Sequence, residues 1–592
     1  DLDRSSWADY DPGLISPGGG VFSRSRKSIP LSPAAQRALG LDREQATPVE
    51  VIRAILTAPA DLLWFGGIGT YVKASAESNF QVGDPSNDQV RVNADELRVR
   101  VIGEGANLGC TQRGRIEYAR HGGRINTDAV DNAAGVDCSD HEVNIKIALD
   151  NAVRAGRLDM AARNALLARM TEDVAALVLN DNYRQTLALT LAEATAPADI
   201  DAHGRFMRIL ERKRLLDRKV EFLPDDEALQ ELKDRGQGLT RPELSVLLAY
   251  SKITLFDELV DSALPDDSYL EAELMRYFPD VLSGEFPKDI ARHRLRREII
   301  ATTLANDVVN TGGLTFVNRT RENLGHSAPD IVRCYVAARE LFELRALRTG
   351  INALDLVLPA SVQTRLHLSV IDFLRSQVLW FLRYCAETVQ ISEVVDHYAE
   401  GLDILRAGIR RVLTDFERQR YEKRLRDWMA AGVPEELAAR VTVLTPLASA
   451  CDIVDIAAAH GWPVEHAARA YFRMGELLGL DRLRAAAFEL TSAEHWERLS
   501  IKRSVEELFR QQRELTAAAI SQAPRVHDGN GDSAVDLWVE GHREAVERAT
   551  SLILEMDAAG PLTGAKLSLA ATQMRELCRN SADPDSASGQ AA

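Results

Sequence analysis

The sequence predicts an α/β unit followed by a much larger all-α region, and three observations predict it. Before about residue 143, short apolar runs end repeatedly in turns that carry Gly and Asn. Those runs alternate with a helical stretch at a spacing that calls for parallel strands joined by right-handed crossovers. From about Val143 onward glycine thins out, and Ala, Leu, Arg and Glu recur at helical spacing almost to the end. The expected boundaries are residues 1–150 for the α/β part, 151–579 for the helical region and 580–592 for a Ser-, Asp-, Ala- and Gly-rich tail predicted to be disordered.

Taken in order, residues 1–30 read as loop, with Pro17-Gly18-Gly19-Gly20 as a turn and Arg24, Arg26 and Lys27 as a small basic cluster. Pro48–Ala58 is a predicted helix, because Thr47 is a suitable N-cap and Pro48 suits the first helical position. Asp61–Phe65 reads as a short buried strand stopped by Gly66-Gly67, and Leu97–Ile102 as a second stopped by Gly103. Arg113–His121 reads as a short helix and Arg124–Val130 as a third strand. Thr240-Arg241-Pro242-Glu243 is a capping box opening the apolar helix through Leu244–Ile253. Further helices are expected at 290–310, 328–347, 360–384, 392–427, 434–458, 464–475 and 498–521. Phe278-Pro279, Glu285-Phe286-Pro287 and Thr311-Gly312-Gly313 punctuate them. No repeat of fixed period supports a regular solenoid.

Composition narrows the function classes. Apolar content of 45% with 27% charged residues suffices for a sizeable core. The net charge of −17, from 71 basic and 88 acidic residues, argues against nucleic acid or an anionic membrane as main partner. Six scattered cysteines with no C-x-x-C spacing point to reduced thiols in a cytosol. No apolar run reaches the roughly 20 residues of a spanning helix. The chain opens at Asp1 without Met, inside sequence that reads as ordered, so a piece of a longer protein is expected.

Three motifs stand at strand ends. Gly66-Gly67-Ile68-Gly69-Thr70-Tyr71 lacks the third glycine of a dinucleotide fingerprint, and reads better as a strand end where Gly67 and Gly69 let a ring or ribose approach. Glu104-Gly105-Ala106-Asn107 follows a strand at the carboxyl edge where open α/β sheets bind ligands, and Asn offers both a donor and an acceptor. The alternative is a tight turn satisfied by its own Glu and Asn. Asn132 through Ser139 follows the third strand similarly, with Asn132 suited to a carboxamide and Ser139 to a carboxylate. Its alternative is a helix-capping segment with Asp131 or Asn132 as N-cap. Cys138-x-x-His141 has no second ligand pair at zinc spacing, so no metal site is expected. Asn306 through Gly313 reads as a helix end with a glycine stop, and Trp380 and Trp428 as core.

Together, Glu104-Gly105-Ala106-Asn107 and Asn132-Ala133-Ala134-Gly135-Val136-Asp137-Cys138-Ser139 resemble the second half of the nucleotide-binding domain of glutamate dehydrogenases. Asp61 through Thr70, Val101 through Gly109 and Leu239 through Leu244 are similar to the large, NAD-specific bacterial branch, as is the long helical extension. The resemblance implies a partial Rossmann-type parallel sheet, its C-terminal half, followed by a large helical domain. It implies NAD as cofactor, L-glutamate and 2-oxoglutarate as substrates, a cytoplasmic setting and a homo-oligomer. Gly67 and Gly69 would border the cofactor cleft, with Thr70 and Glu104-Gly105 beside it. Asn107 would lie near the nicotinamide ribose, Asn132 would hold the carboxamide, and Ser139 would bind the substrate's side-chain carboxylate. Thr70 stands where smaller members usually carry Asn, and Ala134 where Gly is usual. The family's catalytic Lys and Asp match nothing in this chain, so an inactive C-terminal fragment is expected. A helical scaffold or regulatory module, and another nucleotide-dependent oxidoreductase, stay open as other classes.

Overall fold

Three parallel strands carry the α/β part: β1 (Leu62–Phe65), β2 (Val101–Glu104) and β3 (Arg124–Ile125), in that spatial order. Leu62 pairs with Val101, Phe65 with Glu104, and Val101 with Arg124. Helix α1 (Gln112–Arg120) connects β2 to β3, as strand–helix–strand spacing predicts. The computed structural model describes residues 7–385, 390–490, 495–523 and 531–582.

The sheet is covered on one face only. Phe65, Ile102 and Ile125 are buried with Val72, Val92 and Tyr118. Leu62 and Trp64, predicted to be buried, are 55% and 59% exposed. The reason is the alternation of side chains in β1, an edge strand whose outer face has no cover among the described residues. Gly103 does not stop β2 but lies within it. The Trp64 indole sits against it, and a Cβ at Gly103 would come within 2.6 Å of that ring. The third strand is shorter than predicted, because Thr127 opens the helical turn Asp128–Asp131. Two small sheets escape sequence reading: Ile29–Pro30 antiparallel to Gln45–Ala46, and Val72–Lys73 parallel to Val92–Asn93.

Capping chemistry sets the helices where the sequence places it. Thr47 and Glu50 close a capping box over the helix Pro48–Leu56, with Pro48 in its first turn. Thr240 and Glu243 do the same for α4 (Arg241–Val260), whose buried Leu255 and Leu259 carry it past the predicted end. Between them lie α2 (Ala133–Arg154) and α3 (Thr171–Arg212), followed after α4 by α5 (Glu271–Tyr277) and α6 (Arg296–Gly312). The predicted glycine stop holds: α6 ends at Gly312, and Gly313 takes φ +97°.

The chain divides into two compact units, Asp1–Val332 and Arg333–Ala592. The predicted boundary at residue 150 falls inside α2, whose Ile145, Ala148, Leu149 and Ala152 are buried and which packs on α3. The second unit is wholly helical among its described residues. Its predicted 392–427 helix is two, Ile391–Val412 and Asp415–Ala430, with Thr414 at the second N-cap. Trp380 is half-buried among Phe381, Tyr384 and Tyr398, and its Nε1 donates to Asp452 at 2.8 Å. The last helix, Gly564–Ala582, takes in residues 580–582 of the predicted tail, and the remainder of that tail lies outside the described residues. Among the described residues no single helix is long and apolar enough to cross a membrane.

Candidate functional site

The carboxyl ends of β1 and β2, with the turn after β3, form a rim built from the expected motifs. Ala106 N donates to Phe65 O at 3.0 Å, holding the turn after β2 against β1. Glu104, expected beside a ligand, is instead fully buried. It accepts two bonds from Arg115 of α1, at 2.7 and 2.9 Å, and one from Cys110 N at 2.9 Å. Burial works against the Arg115 guanidinium, but the hydrogen bonds and charge of Glu104 outweigh it and hold it charged. Glu104 therefore anchors the 104–110 turn from inside and offers no group to the rim.

The rest of that turn faces outward. Leu108 adopts φ +61°, a strained region for a branched side chain, and its N–H donates to Asp128 Oδ2 at 2.8 Å. Asn107 is exposed, with its amide unengaged among the described residues. A Cβ at Gly105 would lie 2.2 Å from the Trp64 ring, so only glycine fits there without moving the indole.

One bond joins the two motifs. Asn132 Nδ2 donates to Gly105 O at 2.6 Å. Asn132 occupies the N-cap position of α2, as the helix-capping alternative expects, but its side chain makes no cap bond. Asp131 Oδ2 accepts from Glu104 N at 2.9 Å and Oδ1 from Asn126 Nδ2 at 2.7 Å. Arg241, second residue of the capping box, bonds Asn126 Oδ1, Thr190 Oγ1 at 3.0 Å and Thr186 O at 2.9 Å. The motif at 240–243 thus ties α4 and α3 to the base of the rim. Arg115 and Asp128 were missed by sequence reasoning, which read Asp131 only as an N-cap candidate and Arg241 only as part of a capping box. The only available signal was an Arg inside a capping box that has no need of one.

The glycine turn after β1 is partly open. Gly67 is exposed, with nothing among the described residues within 4 Å of a Cβ built on it. Gly69 has φ +133° and packs against Asn87 and Tyr71. Thr70 is 8% exposed and faces inward. Its N–H donates to Asp84 Oδ2 at 2.9 Å and its carbonyl accepts from Arg91 Nε at 2.9 Å. Hydrogen bonds from Ser86, Asn87 and Thr70 pull the Asp84 carboxyl down to about 2.

Ser139 lies one turn and a half into α2, is exposed, and its hydroxyl donates to Val136 O at 2.7 Å. Cys138 is exposed and stays apart from the group that converges on the buried side of α2: Asp137, His141 and, from α3, Asp181. Burial, reinforced by Asp181 and Asp140, raises the Asp137 carboxyl to about 6. Burial lowers the nearby Lys252 of α4 to about 7 against the opposing charge of Asp181. A cleft of about 550 Å³, lined by Val99, Arg100, Tyr118, Gly122 and Arg124, opens at the amino-terminal ends of β2 and β3, away from the rim.

Comparison with known proteins supplies a family. Residues 236–576 match the family model described as glutamate dehydrogenase, C-terminal, and residues 1–192 that of bacterial NAD-glutamate dehydrogenase, catalytic domain. Three relatives are named NAD-specific glutamate dehydrogenase. That of Pseudomonas aeruginosa is 42% identical over 582 residues, covering 98% of this chain and 36% of the relative. That of Halomonas elongata is 41% identical over 558 residues, covering 94% and 34%. That of Mycobacterium tuberculosis is 38% identical over 587 residues, covering 98% and 36%. The chain spans about a third of the length of these curated relatives. With one family model matching more than half of the chain, and relatives aligned over nearly all of it, this chain belongs to the bacterial NAD-specific glutamate dehydrogenase family.

Proposed function

We propose that this chain carries the nicotinamide-and-substrate rim of an NAD-dependent glutamate dehydrogenase, which oxidises L-glutamate to 2-oxoglutarate and ammonium. The observation that carries the proposal is the Asn132–Gly105 bond, which brings the two strand-end motifs into one surface. The residues suit the cofactor. With Nδ2 committed to Gly105 O, the Asn132 amide presents Oδ1 to accept from a carboxamide N–H. Asn107 keeps both amide functions for ribose hydroxyls, and the space over Gly67 admits a close approach. NAD would supply the hydride acceptor for the substrate Cα. This chain's part is to hold ring and substrate in register, which is an entropic contribution to rate.

Ser139 would hold the substrate's side-chain carboxylate after its hydroxyl turns away from Val136 O. The rim's own carboxylates are spoken for: Asp128 by Leu108 N–H and Arg115, Asp131 by Glu104 N–H and Asn126. The Lys and Asp that move protons in such chemistry would then come from outside the rim, and the chain by itself is expected not to turn over. On the same reading, residues 1–150 finish a Rossmann-type domain, and the exposed face of β1 is where the rest of that domain would sit.

Ser139→Ala in the complete enzyme tests the substrate assignment. Loss of a hydrogen bond to a charged group, about 1.5–3 kcal/mol, should raise the KM for glutamate roughly 10- to 100-fold and leave that for NAD in place. An unchanged KM for glutamate would remove Ser139 from the site.

A further inference from the structure

The buried side of α2 holds a group that the rim does not use. Asp137 and His141 stand one turn apart, Asp181 faces them from α3, and one donor atom from each lies within 4.8 Å of the other two. His141 is 2% exposed, and neither of its ring nitrogens has a hydrogen-bond partner among the described residues. Its Nε2 faces Asp137 Oδ1 at 3.8 Å, too far for a hydrogen bond. Tyr277 of α5 stacks on the face of the imidazole with centroids 4.4 Å apart, which leaves the in-plane lone pairs free. A buried imidazole with both nitrogens idle, beside two carboxylates, is a donor set without its acceptor.

We propose that Asp137, His141 and Asp181 bind a divalent transition-metal ion, of which Zn²⁺ is the type, and that the ion fastens α2 to α3 beneath the rim. Two carboxylate oxygens and one imidazole nitrogen neutralise the ion's charge, and the imidazole favours Zn²⁺ or Co²⁺ over Mg²⁺ or Ca²⁺. Asp181 is exposed, so water reaches the fourth position. Bonds of about 2.0–2.2 Å place tetrahedral donors about 3.3–3.6 Å apart, so side-chain rotation has roughly 1 Å to close from the present spacing of up to 4.8 Å. Other charges facing the group are Lys252 of α4, Arg184 of α3 and Asp140 of α2. Lys252 donates to Gln185 Oε1 at 2.6 Å, and Arg184 stands 3.9 Å from Asp181 Oδ1.

The test is a Co²⁺ titration of the chelator-stripped 592-residue chain, read by visible absorption and then displaced with Zn²⁺. The expected result is one Co²⁺ per chain. Its affinity should fall at least tenfold in Asp181→Asn, an exposed position whose variant should keep the wild-type melting midpoint in chelator. His141→Gln should abolish the band. Absence of a one-to-one band in wild type, or unchanged affinity in Asp181→Asn, would overturn the site.

Discussion

Arg115→Met is expected to cost the α/β part about 3–5 kcal/mol, the range for stranding one partner of a buried ion pair. Glu104 is fully buried and both its oxygens lean on Arg115, with only Cys110 N–H as a further donor among the described residues. Without the guanidinium, a carboxylate sits uncompensated at the carboxyl end of β2. Arg115 also contacts Asp128, which holds Leu108 N–H, so the turn that presents Asn107 loosens with it. The loss should appear as reduced amide hydrogen-exchange protection in Val101–Glu104 and the following turn, together with a lower melting temperature. The double change Glu104→Gln with Arg115→Met should recover part of it, because no buried charge is then left alone. A single substitution costing less than about 1 kcal/mol would show that the pair does not hold the rim.

Asn132→Ala in the complete enzyme is expected to lower kcat/KM for NAD about 100-fold, the scale of a misplacement of about 1 Å at a reacting centre. Two functions disappear together: the tether to Gly105 O and the free Oδ1 offered to the carboxamide. Folding should change little, because the Asn132 side chain does not cap α2. Asn132→Asp should be no better, since a carboxylate cannot donate to Gly105 O and would face it with like charge. Steady-state kinetics with varied NAD, beside a melting curve, separates these effects. A normal kcat/KM in Asn132→Ala would place the carboxamide elsewhere.

What the sequence disclosed was local. Thr47 with Pro48, and Thr240 with Glu243, announce their helices because the N-cap and first-turn chemistry is complete within four residues. The parallel pairing of β1, β2 and β3 follows from strand–helix–strand spacing, and the position of the rim follows from where apolar runs stop. Partnership was hidden. A Glu at a strand end reads the same whether it faces a ligand or, as Glu104 does, an Arg on the next helix. The short β3 was misjudged because Thr127-Asp128 begins a helical turn within an alternating apolar pattern. Gly103 read as a terminator, and its role as the seat of the Trp64 indole depends on a cross-strand neighbour. The Asp137–His141–Asp181 group needed α3 beside α2, which the local Cys138-x-x-His141 spacing does not show.

The central claim is that residues 104–107 and 132–139 make one cofactor-facing surface. The most direct measurement is a double-substitution cycle of Asn107→Ala and Asn132→Ala on kcat/KM for NAD in the complete enzyme. One surface predicts that each single change lowers kcat/KM and that the double variant loses less than the product of the two. Wild-type values in both single variants, or strictly multiplicative losses, would contradict it.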